Sequence, residues 1–149
     1  MIKPTSGQHP KYGYFEEVGG VKYFYDLVQG SEDWLELRKG MITGSAMKLL
    51  LTEKQLKPAN NDKVRDHLYQ LVADKATDYI EPSFQNYDMR RGQQDEIYAR
   101  EVYEENCEEL IKTCGFIINE NHGFRLGYSP DWLVGKDGMA EAKSCKPKV

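Results

Sequence analysis

Alternating apolar and polar positions predict strands near both ends of the chain. Residues 14–18 and 21–25 are rich in aromatic and β-branched side chains and are separated by two glycines, a spacing typical of a β-hairpin. Residues 109–118 have the same character and predict a further strand. Residues 1–12 hold prolines and polar side chains, so we expect an irregular start to the chain.

Apolar residues at helical spacing occupy the centre of the chain. Ser31 precedes such a series and is expected to cap a short helix. Residues 62–77 predict an amphipathic helix that faces the core, with Asp62 as its N-cap and His67 as a surface residue on its flank. A further helical pattern starts at Tyr87.

The candidate chemistry lies in a second predicted hairpin, near the end of the chain. Residues 128–134 and 139–143 read as extended segments joined by a glycine-containing turn. Because successive strand residues point to opposite faces, Glu141 and Lys143 share one face. The same hairpin returns Asp131 to a position beside Glu141.

Two carboxylates and an ammonium on one sheet face point to a divalent cation. Like charges repel, and burial penalises each of them, so the group is costly without a partner of opposite charge. Mg²⁺ suits oxygen ligands and typically takes one or two carboxylates together with water and phosphate. A lysine beside them would hold or deprotonate an attacking water. The alternative, on these residues alone, is a surface hairpin with ordinary solvated charges.

Composition excludes few classes of protein. A chain of 149 residues has room for one domain, and 40% hydrophobic and 30% charged residues are typical of a soluble globular protein. The net charge of −4 argues against a general nucleic-acid coat, but it allows one local basic patch that grips DNA. The absence of a long apolar run and of an N-terminal signal segment predicts a cytoplasmic location and no membrane partner.

The cysteines do not predict a metal centre. Cys107, Cys114 and Cys145 are an odd number and lack CxxC spacing. We expect free, partly buried thiols.

Three motifs resemble those of one family and follow one another along the chain in the same order as in that family. Asp131, preceded by Ser-Pro and followed by Glu141-Ala142-Lys143, looks like the PD-(D/E)XK nuclease signature. Upstream, the sequence resembles the start of the lambda-type (YqaJ-like) viral recombinase exonucleases, with Gly44 where that family has alanine. The matching positions are Gln29, Gly30, Trp34, Leu37, Arg38, Gly40, Ile42, Thr43 and Ser45. A further motif of that family, Gly-x-x-x-Glu-x-x-Ala-Arg, lies between these two in the sequence and matches Gly92, Glu96, Ala99 and Arg100.

The resemblance implies an α+β fold with a restriction-endonuclease-like α/β core, in which helices flank a central mixed β-sheet. An N-terminal hairpin would add to this core. The resemblance divides the chain into an N-terminal extension, residues 1–28, and a PD-(D/E)XK nuclease domain, residues 29–149. Members of the family continue with a further helix and strands, so the chain is expected to be truncated at its C-terminus.

The resemblance also assigns site residues. Asp131, Glu141, Lys143 and Glu96 would be catalytic, and the metal ligands would be Asp131, Glu141, the backbone carbonyl of Ala142 and Glu96. They would hold Mg²⁺, or alternatively Mn²⁺. Without the resemblance, Glu96 is one charge on a solvated helix face.

A second set of residues would hold DNA ends. In the family, the arginine and serine of the upstream motif bind the 5′-phosphate, a role carried here to Arg38 and Ser45. A guanidinium offers phosphate a bidentate fork, and a serine adds a hydroxyl. On the residues alone, Arg38 is a solvated helix charge and Ser45 a helix cap.

The implied function is that of a Mg²⁺-dependent deoxyribonuclease, a phosphodiester hydrolase that digests linear double-stranded DNA from 5′ to 3′ in phage-type recombination. The implied partners are duplex ends, two further copies in a homotrimer, and a single-strand annealing protein, within a phage-carrying bacterial host. Two alternatives stay open: a DNA- or partner-binding remnant without turnover, and an endonuclease of the same superfamily.

Overall fold

The computed structural model describes residues 4–77, 79 and 87–145, with the backbone alone at 87–89. The chain divides into two compact units, which are described in turn. Met1–Glu81 and Gly115–Ser129 form the first unit, and Pro82–Cys114 and Pro130–Val149 form the second.

The described elements begin with three strands, continue with helices around one short strand, and end with five strands. In chain order they are β1 (Thr5–His9), β2 (Gly13–Val18), β3 (Val21–Phe24), α1 (Glu32–Leu37), β4 (Ile42–Thr43), a 3₁₀ turn (Gly44–Ala46), α2 (Met47–Leu50), α3 (Asp62–Thr77), α4 (Tyr87–Asn106), β5 (Ile111–Lys112), β6 (Phe116–Asn119), β7 (Leu126–Tyr128), β8 (Trp132–Val134) and β9 (Gly138–Ala140).

The first unit is built on a six-stranded mixed sheet with strand order β1-β2-β3-β6-β7-β4. The pairing of β4 with β7 is parallel and the other pairings are antiparallel. The sheet and its helices confirm the predicted α+β class. The predicted N-terminal hairpin is confirmed as β2 and β3, joined where Gly19 and Gly20 adopt positive φ angles of 58° and 77°.

The expectation of an irregular start was wrong, because residues 5–9 form an edge strand. Thr5 pairs with Glu17 and His9 with Gly13, so this segment extends the sheet. Its side chains are mostly exposed. An edge strand needs only backbone hydrogen bonds on one side, and the polar composition therefore carried no strand signal.

The helices of the first unit begin where sequence signals predict, with one different cap. The Ser31 hydroxyl accepts a hydrogen bond from the Trp34 amide at 3.2 Å, which confirms the predicted N-cap of α1. Helix α3 has the predicted bounds, but the Asn61 side chain caps it by accepting from the Val64 amide at 3.1 Å, in place of Asp62.

Helix α3 was also expected to face the core, and this was wrong. None of its residues is fully buried. Leu68 is 42% exposed and Val72 is 66% exposed. Periodicity shows that a helix has an apolar side, but it does not show how deeply that side is covered.

The core of the first unit joins the sheet to α1 and the loops around it. Its buried residues are Phe24, Leu27, Trp34, Leu37, Met41, Phe116 and Ile118. The Trp34 ring packs edge-on against Phe116 with centroids 6.2 Å apart. Its Nε1 donates to the Ser129 hydroxyl at 2.9 Å and to the Gly115 carbonyl at 3.2 Å.

The single strand predicted over residues 109–118 is two strands, β5 and β6, in different sheets. The break lies at Gly115, whose amide donates to the Phe24 carbonyl at 2.9 Å. A Cβ atom at Gly115 would lie 1.7 Å from the Leu27 carbonyl oxygen. This close backbone approach ends one strand before the next begins.

The second unit contains α4 and a three-stranded antiparallel sheet with order β5-β8-β9. The predicted hairpin is confirmed as β8 and β9, with Trp132 opposite Ala140 and Val134 opposite Gly138. Its first strand is shorter than predicted, because Tyr128 belongs to β7 and β8 begins at Trp132. Its second strand is shorter than predicted, because β9 ends at Ala140 and residues 141–145 have no regular structure.

Two further expectations can be compared with the described residues. The three cysteines form no disulfide bond, as predicted: Cys114 is buried, Cys107 half-buried and Cys145 exposed. None of the described helices combines the length and apolarity that crossing a membrane requires.

Removing core volume from the central strand should destabilise the protein strongly. Ile118 is 0% exposed, so Ile118→Ala should lower the free energy of unfolding by about 2–5 kcal/mol, as expected for a large-to-small change in a packed core. Urea unfolding followed by circular dichroism measures this change. Val28→Ala is the matched control, because Val28 is 69% exposed. Equal effects of the two substitutions would contradict the placement of Ile118.

Candidate functional site

In the second unit, helix α4 and the β8–β9 hairpin hold a cluster of charged side chains. The Tyr103 ring of α4 packs on the Trp132 ring of β8, with centroids 5.8 Å apart and planes tilted by 51°. Glu96 precedes Tyr103 by seven residues, and residues at this spacing share one helix face. The aromatic contact therefore turns the face that carries Glu96 toward the hairpin.

The two carboxylates of the hairpin lie where its strands end. Asp131 comes directly before β8, and Glu141 directly after β9. Because Trp132 pairs with Ala140, Asp131 and Glu141 are the next residues outward in the same register. The backbone amide of Ala142 donates a hydrogen bond to the Asp131 carboxylate, which fixes the segment after β9 against it.

Burial and the charges of neighbouring carboxylates raise the pKa of two acidic residues, Asp131 and Glu96. Burial raises the pKa of Asp131, and the charge of Glu141 raises it further, against the opposing hydrogen bond from the Ala142 amide. Burial also raises the pKa of Glu96, with additional contributions from the charges of Asp131 and Glu141. The side chains assigned from the motifs thus interact electrostatically as one group, in which negative charge is in excess.

Lys143 completes the group as a cation. Its ammonium donates a hydrogen bond to Glu141, and this bond is the main reason why the pKa of Lys143 is raised. The side chain therefore carries its proton at neutral pH. It can donate a hydrogen bond or neutralise negative charge, and it is poorly suited to removing a proton from water.

A further contact, which the sequence did not reveal, ties the end of this segment to the helix. The Ser144 hydroxyl donates to the Asp95 carboxylate of α4. Asp95 also lies 3.9 Å from Nε of Arg91, one turn earlier. Asp95 had been one of several acidic residues on a charged helix face, and only the fold gives it a partner.

The donor set fits a hard divalent cation bound largely through water and substrate. Among the described side chains, no group of three or more His, Cys, Asp or Glu residues is arranged to hold a metal ion. Mg²⁺ does not require such a group, since it often takes one or two carboxylates and keeps several waters. The neighbouring carboxylates Asp131 and Glu141, whose repulsion a cation would relieve, match that preference.

A second cluster lies in the first unit, around Arg38 at the end of α1. The guanidinium carbon lies 4.1 Å from the centroid of the Trp34 ring, a cation–π contact. Nη2 of Arg38 donates to the Thr43 hydroxyl at 3.4 Å. The Thr43 hydroxyl lies in turn 3.1 Å from the Ser45 hydroxyl. Thr43 therefore links the two residues that the sequence assigned, a role that its place in the motif did not reveal.

Arg38 is a cation without an acidic partner among the described residues. No described carboxylate oxygen lies within 4.0 Å of its guanidinium. Burial lowers its pKa, although an arginine remains charged at any physiological pH. A half-buried, unpaired guanidinium beside two hydroxyls is an arrangement that can receive an anion such as phosphate.

Ser45 and its neighbour Gly44 belong to the 3₁₀ turn and do not cap a helix. No side-chain hydrogen bond caps this turn, and the exposed Ser45 lies inside it. A Cβ atom at Gly44 would lie 2.6 Å from Cδ2 of Tyr128. The glycine at this position is therefore explained by the large ring packed over it.

The structure thus gathers the assigned residues into two groups, one in each unit. Arg38 and Ser45 meet through Thr43 in the first unit. The other assigned residues belong to the second unit: Glu96, Asp131, Glu141, Ala142 and Lys143.

Comparisons with known proteins agree with the motifs. The sequence matches the family of YqaJ-like viral recombinase domains over residues 33–148. Among solved structures, the chain is similar to an alkaline exonuclease (LHK-Exo) from Laribacter hongkongensis, with 27% sequence identity and a TM-score of 0.60. The match covers 74% of this chain and 52% of the exonuclease, so the chain spans about half the length of that protein. No curated protein matches the sequence.

Neutralising Glu96 should stabilise the metal-free protein at neutral pH. A carboxyl whose pKa is raised by folding holds its proton more tightly in the folded state. It favours folding below its unfolded pKa of about 4.3, and this contribution is lost as the pH rises through the raised folded pKa. Glu96→Gln should therefore gain on the order of 0.5 kcal/mol at pH 7, after allowance for solvent screening, and the gain should vanish near pH 4.

Urea unfolding in EDTA at the two pH values measures this difference. Glu101→Gln is the matched control, because Glu101 is an exposed carboxylate on the same helix. A Glu96→Gln variant that is less stable than the wild type at pH 7 would show that Glu96 is not under electrostatic stress.

Proposed function

Because the chain belongs to the family of YqaJ-like viral recombinase domains, we propose that it is a metal-dependent DNA exonuclease that digests linear duplexes from the 5′ end. The observation that carries this proposal is the group of Glu96, Asp131, Glu141 and Lys143, whose charges act on one another at the open end of one hairpin. Metal-dependent phosphodiester hydrolysis uses such a combination, with carboxylates to hold the metal and a cation to stabilise developing negative charge.

Asp131, Glu141 and the backbone carbonyl of Ala142 would hold Mg²⁺ or Mn²⁺, with Glu96 as a further ligand or as a partner of bound water. A metal in this position supplies Lewis acidity and a water of lowered pKa. The Ala142 amide keeps Asp131 in place for this task. The metal would also favour the ionised forms of Asp131 and Glu96, whose pKa values are raised by burial and by neighbouring negative charge.

Lys143 would act as a positive hydrogen-bond donor. Its ammonium is held by Glu141 and remains protonated at neutral pH. It can orient the attacking water or stabilise the negative charge that develops on the phosphate. The proton of the water must then pass to another acceptor, since the ammonium has no lone pair to take it.

The cluster around Arg38 would bind the terminal 5′-phosphate of the DNA. The guanidinium rests on the Trp34 ring and has no acidic partner among the described residues, so its charge is available to a ligand. Thr43 would hold Arg38 and the Ser45 hydroxyl at a fixed separation. Contacts to phosphate position DNA without reading its sequence, so we expect no sequence preference.

The wider biology is part of the same proposal. The solved relative is named as an alkaline exonuclease, and the matched family as a viral recombinase domain. A role in phage-type recombination, a homotrimer and a single-strand annealing partner remain predictions.

Closed circular duplex distinguishes the alternative functions. An exonuclease digests linear duplex and leaves the circle intact, an endonuclease cuts the circle, and a binding remnant cuts neither linear nor circular duplex.

Removing one hairpin carboxylate should abolish activity and weaken metal binding. Asp131→Asn preserves the shape of the side chain and an acceptor for the Ala142 amide, but it removes the charge. Mg²⁺-dependent digestion of linear duplex should fall by at least ~10²–10³-fold, the scale for loss of one electrostatic contact in a transition state. Calorimetric titration with Mn²⁺ should show weaker binding.

Asp137→Asn is the matched control, because Asp137 is an exposed aspartate in the turn of the same hairpin. It should retain wild-type rates and metal affinity. Equal Mn²⁺ binding by the wild type and Asp131→Asn would show that the metal site is misassigned.

Removing the guanidinium should erase any preference for phosphorylated ends. Arg38→Ala should reduce the ratio of digestion rates on 5′-phosphorylated and 5′-hydroxyl duplexes by roughly 10–100-fold, the equivalent of one or two charged hydrogen bonds. Arg38→Lys should give an intermediate ratio, since it keeps the charge and loses the fork. Arg65→Ala is the control, because Arg65 is an exposed arginine of the same unit. A full preference in Arg38→Ala would refute the phosphate pocket.

A further inference from the structure

Arg38 borders a cavity that also involves helix α3. The cavity has a volume of about 200 Å³ and lies within the first unit. Arg38 and Thr43 line one side, and His67, Gln70 and Asp74 of α3 line another. The guanidinium that was assigned to phosphate therefore shares its cavity with an imidazole from a different element.

The His67 imidazole is incompletely satisfied. Its Nε2 atom is shielded from solvent and has no hydrogen-bond partner in the described part of the chain. Most buried polar atoms in folded proteins have a partner, and one without a partner is costly. His67 lines the cavity, so a rotation of its ring would bring a ring nitrogen to a ligand there, and that ligand would supply the missing partner. Sequence reasoning missed this residue, because a lone histidine on an exposed helix flank carries no signal.

We propose that His67 is a further phosphate-binding residue, whose imidazole donates a hydrogen bond to the terminal phosphate that Arg38 holds. This inference rests on the proposed function of the Arg38 cluster. Phosphate has several acceptor oxygens, so Arg38, at the end of α1, and His67 of α3 can bind it together. The ligand class is a phosphomonoester at a DNA end.

Asp74 provides a second test, in which the expected change in phosphate binding has the opposite sign. Its carboxylate lines the same cavity and accepts a hydrogen bond from Nε2 of Gln70 at 2.7 Å. A negative charge there repels an anion in the cavity. If phosphate occupies the cavity, removing the Asp74 charge tightens binding, while removing the His67 donor weakens it.

The test measures binding without cleavage. A duplex labelled at a 3′ end, with either a 5′-phosphate or a 5′-hydroxyl, is titrated with the full chain in EDTA, and fluorescence anisotropy gives both dissociation constants. The preference is the ratio of the constant for the hydroxyl end to that for the phosphorylated end. His67→Ala should lower this ratio roughly 10-fold or more, which corresponds to loss of one hydrogen bond to a charged group.

Two further variants and one control sharpen the result. His67→Gln retains an amide donor and should keep most of the preference, and Asp74→Asn should raise it several-fold. Asp66→Asn is the matched control, since Asp66 is an exposed aspartate on the same helix and does not line the cavity. It should leave the ratio unchanged. Because Asp74→Asn and His67→Gln are near-isosteric, they test the inference even if His67→Ala fails to fold.

Each outcome separates this inference from the proposed function. A wild-type ratio in His67→Ala, together with its loss in Arg38→Ala, overturns the role of His67 and leaves the Arg38 pocket in place. A wild-type ratio in Arg38→Ala, or no preference in the wild type, overturns the pocket and this inference with it. An unchanged ratio in Asp74→Asn also counts against occupation of the cavity by phosphate.

Discussion

The indole of Trp34 is the contact on which the first unit depends. One ring edge packs on Phe116 of the central strand, and Nε1 bonds to Ser129 and Gly115 at the boundaries of β6 and β7. The face of the same ring carries the Arg38 guanidinium at 4.1 Å. One side chain thus joins the sheet, helix α1 and the cluster around Arg38. Trp34 is 8% exposed and makes several contacts, so the core fixes its position. The position of the Arg38 guanidinium therefore depends on the core as well.

An electrostatic constraint has the corresponding role in the second unit. Asp131 and Glu141 must approach each other because hairpin register places them at its open end. Glu96 joins them because the tilted contact of the Tyr103 and Trp132 rings holds its helix against the hairpin. Burial, together with repulsion by neighbouring carboxylates, raises the pKa of both Asp131 and Glu96. Such strain is expected at sites that bind a cation.

Both clusters pair a charged residue with a rigid aromatic support. Arg38 rests on Trp34, and the helix bearing Glu96 is held by the contact of Tyr103 with Trp132. Precise placement of charge requires supports whose own rotamers are fixed by packing. Short hydrogen-bonded links, through Thr43 in one cluster and through the Ala142 amide in the other, then set the final geometry.

Local signals in the sequence predicted many of the elements and the candidate site residues. The spacing of Ser31 and Trp34, the two glycines between β2 and β3, and the alternation around the second hairpin each depend on neighbours in sequence. Hairpin register is such a local property, and it was enough to place Asp131 beside Glu141. The motifs likewise pointed to Arg38, Ser45 and Glu96.

Only the tertiary structure decided which of these residues share an environment. The break at Gly115 follows from close approach to Leu27, far away in sequence, and β1 forms because β2 offers a free edge. The orphaned nitrogen of His67 has meaning only because α3 borders the cavity of Arg38. Burial, pairing and charge repulsion are properties of neighbours in space, and periodicity along a chain encodes one face of an element but not what covers it.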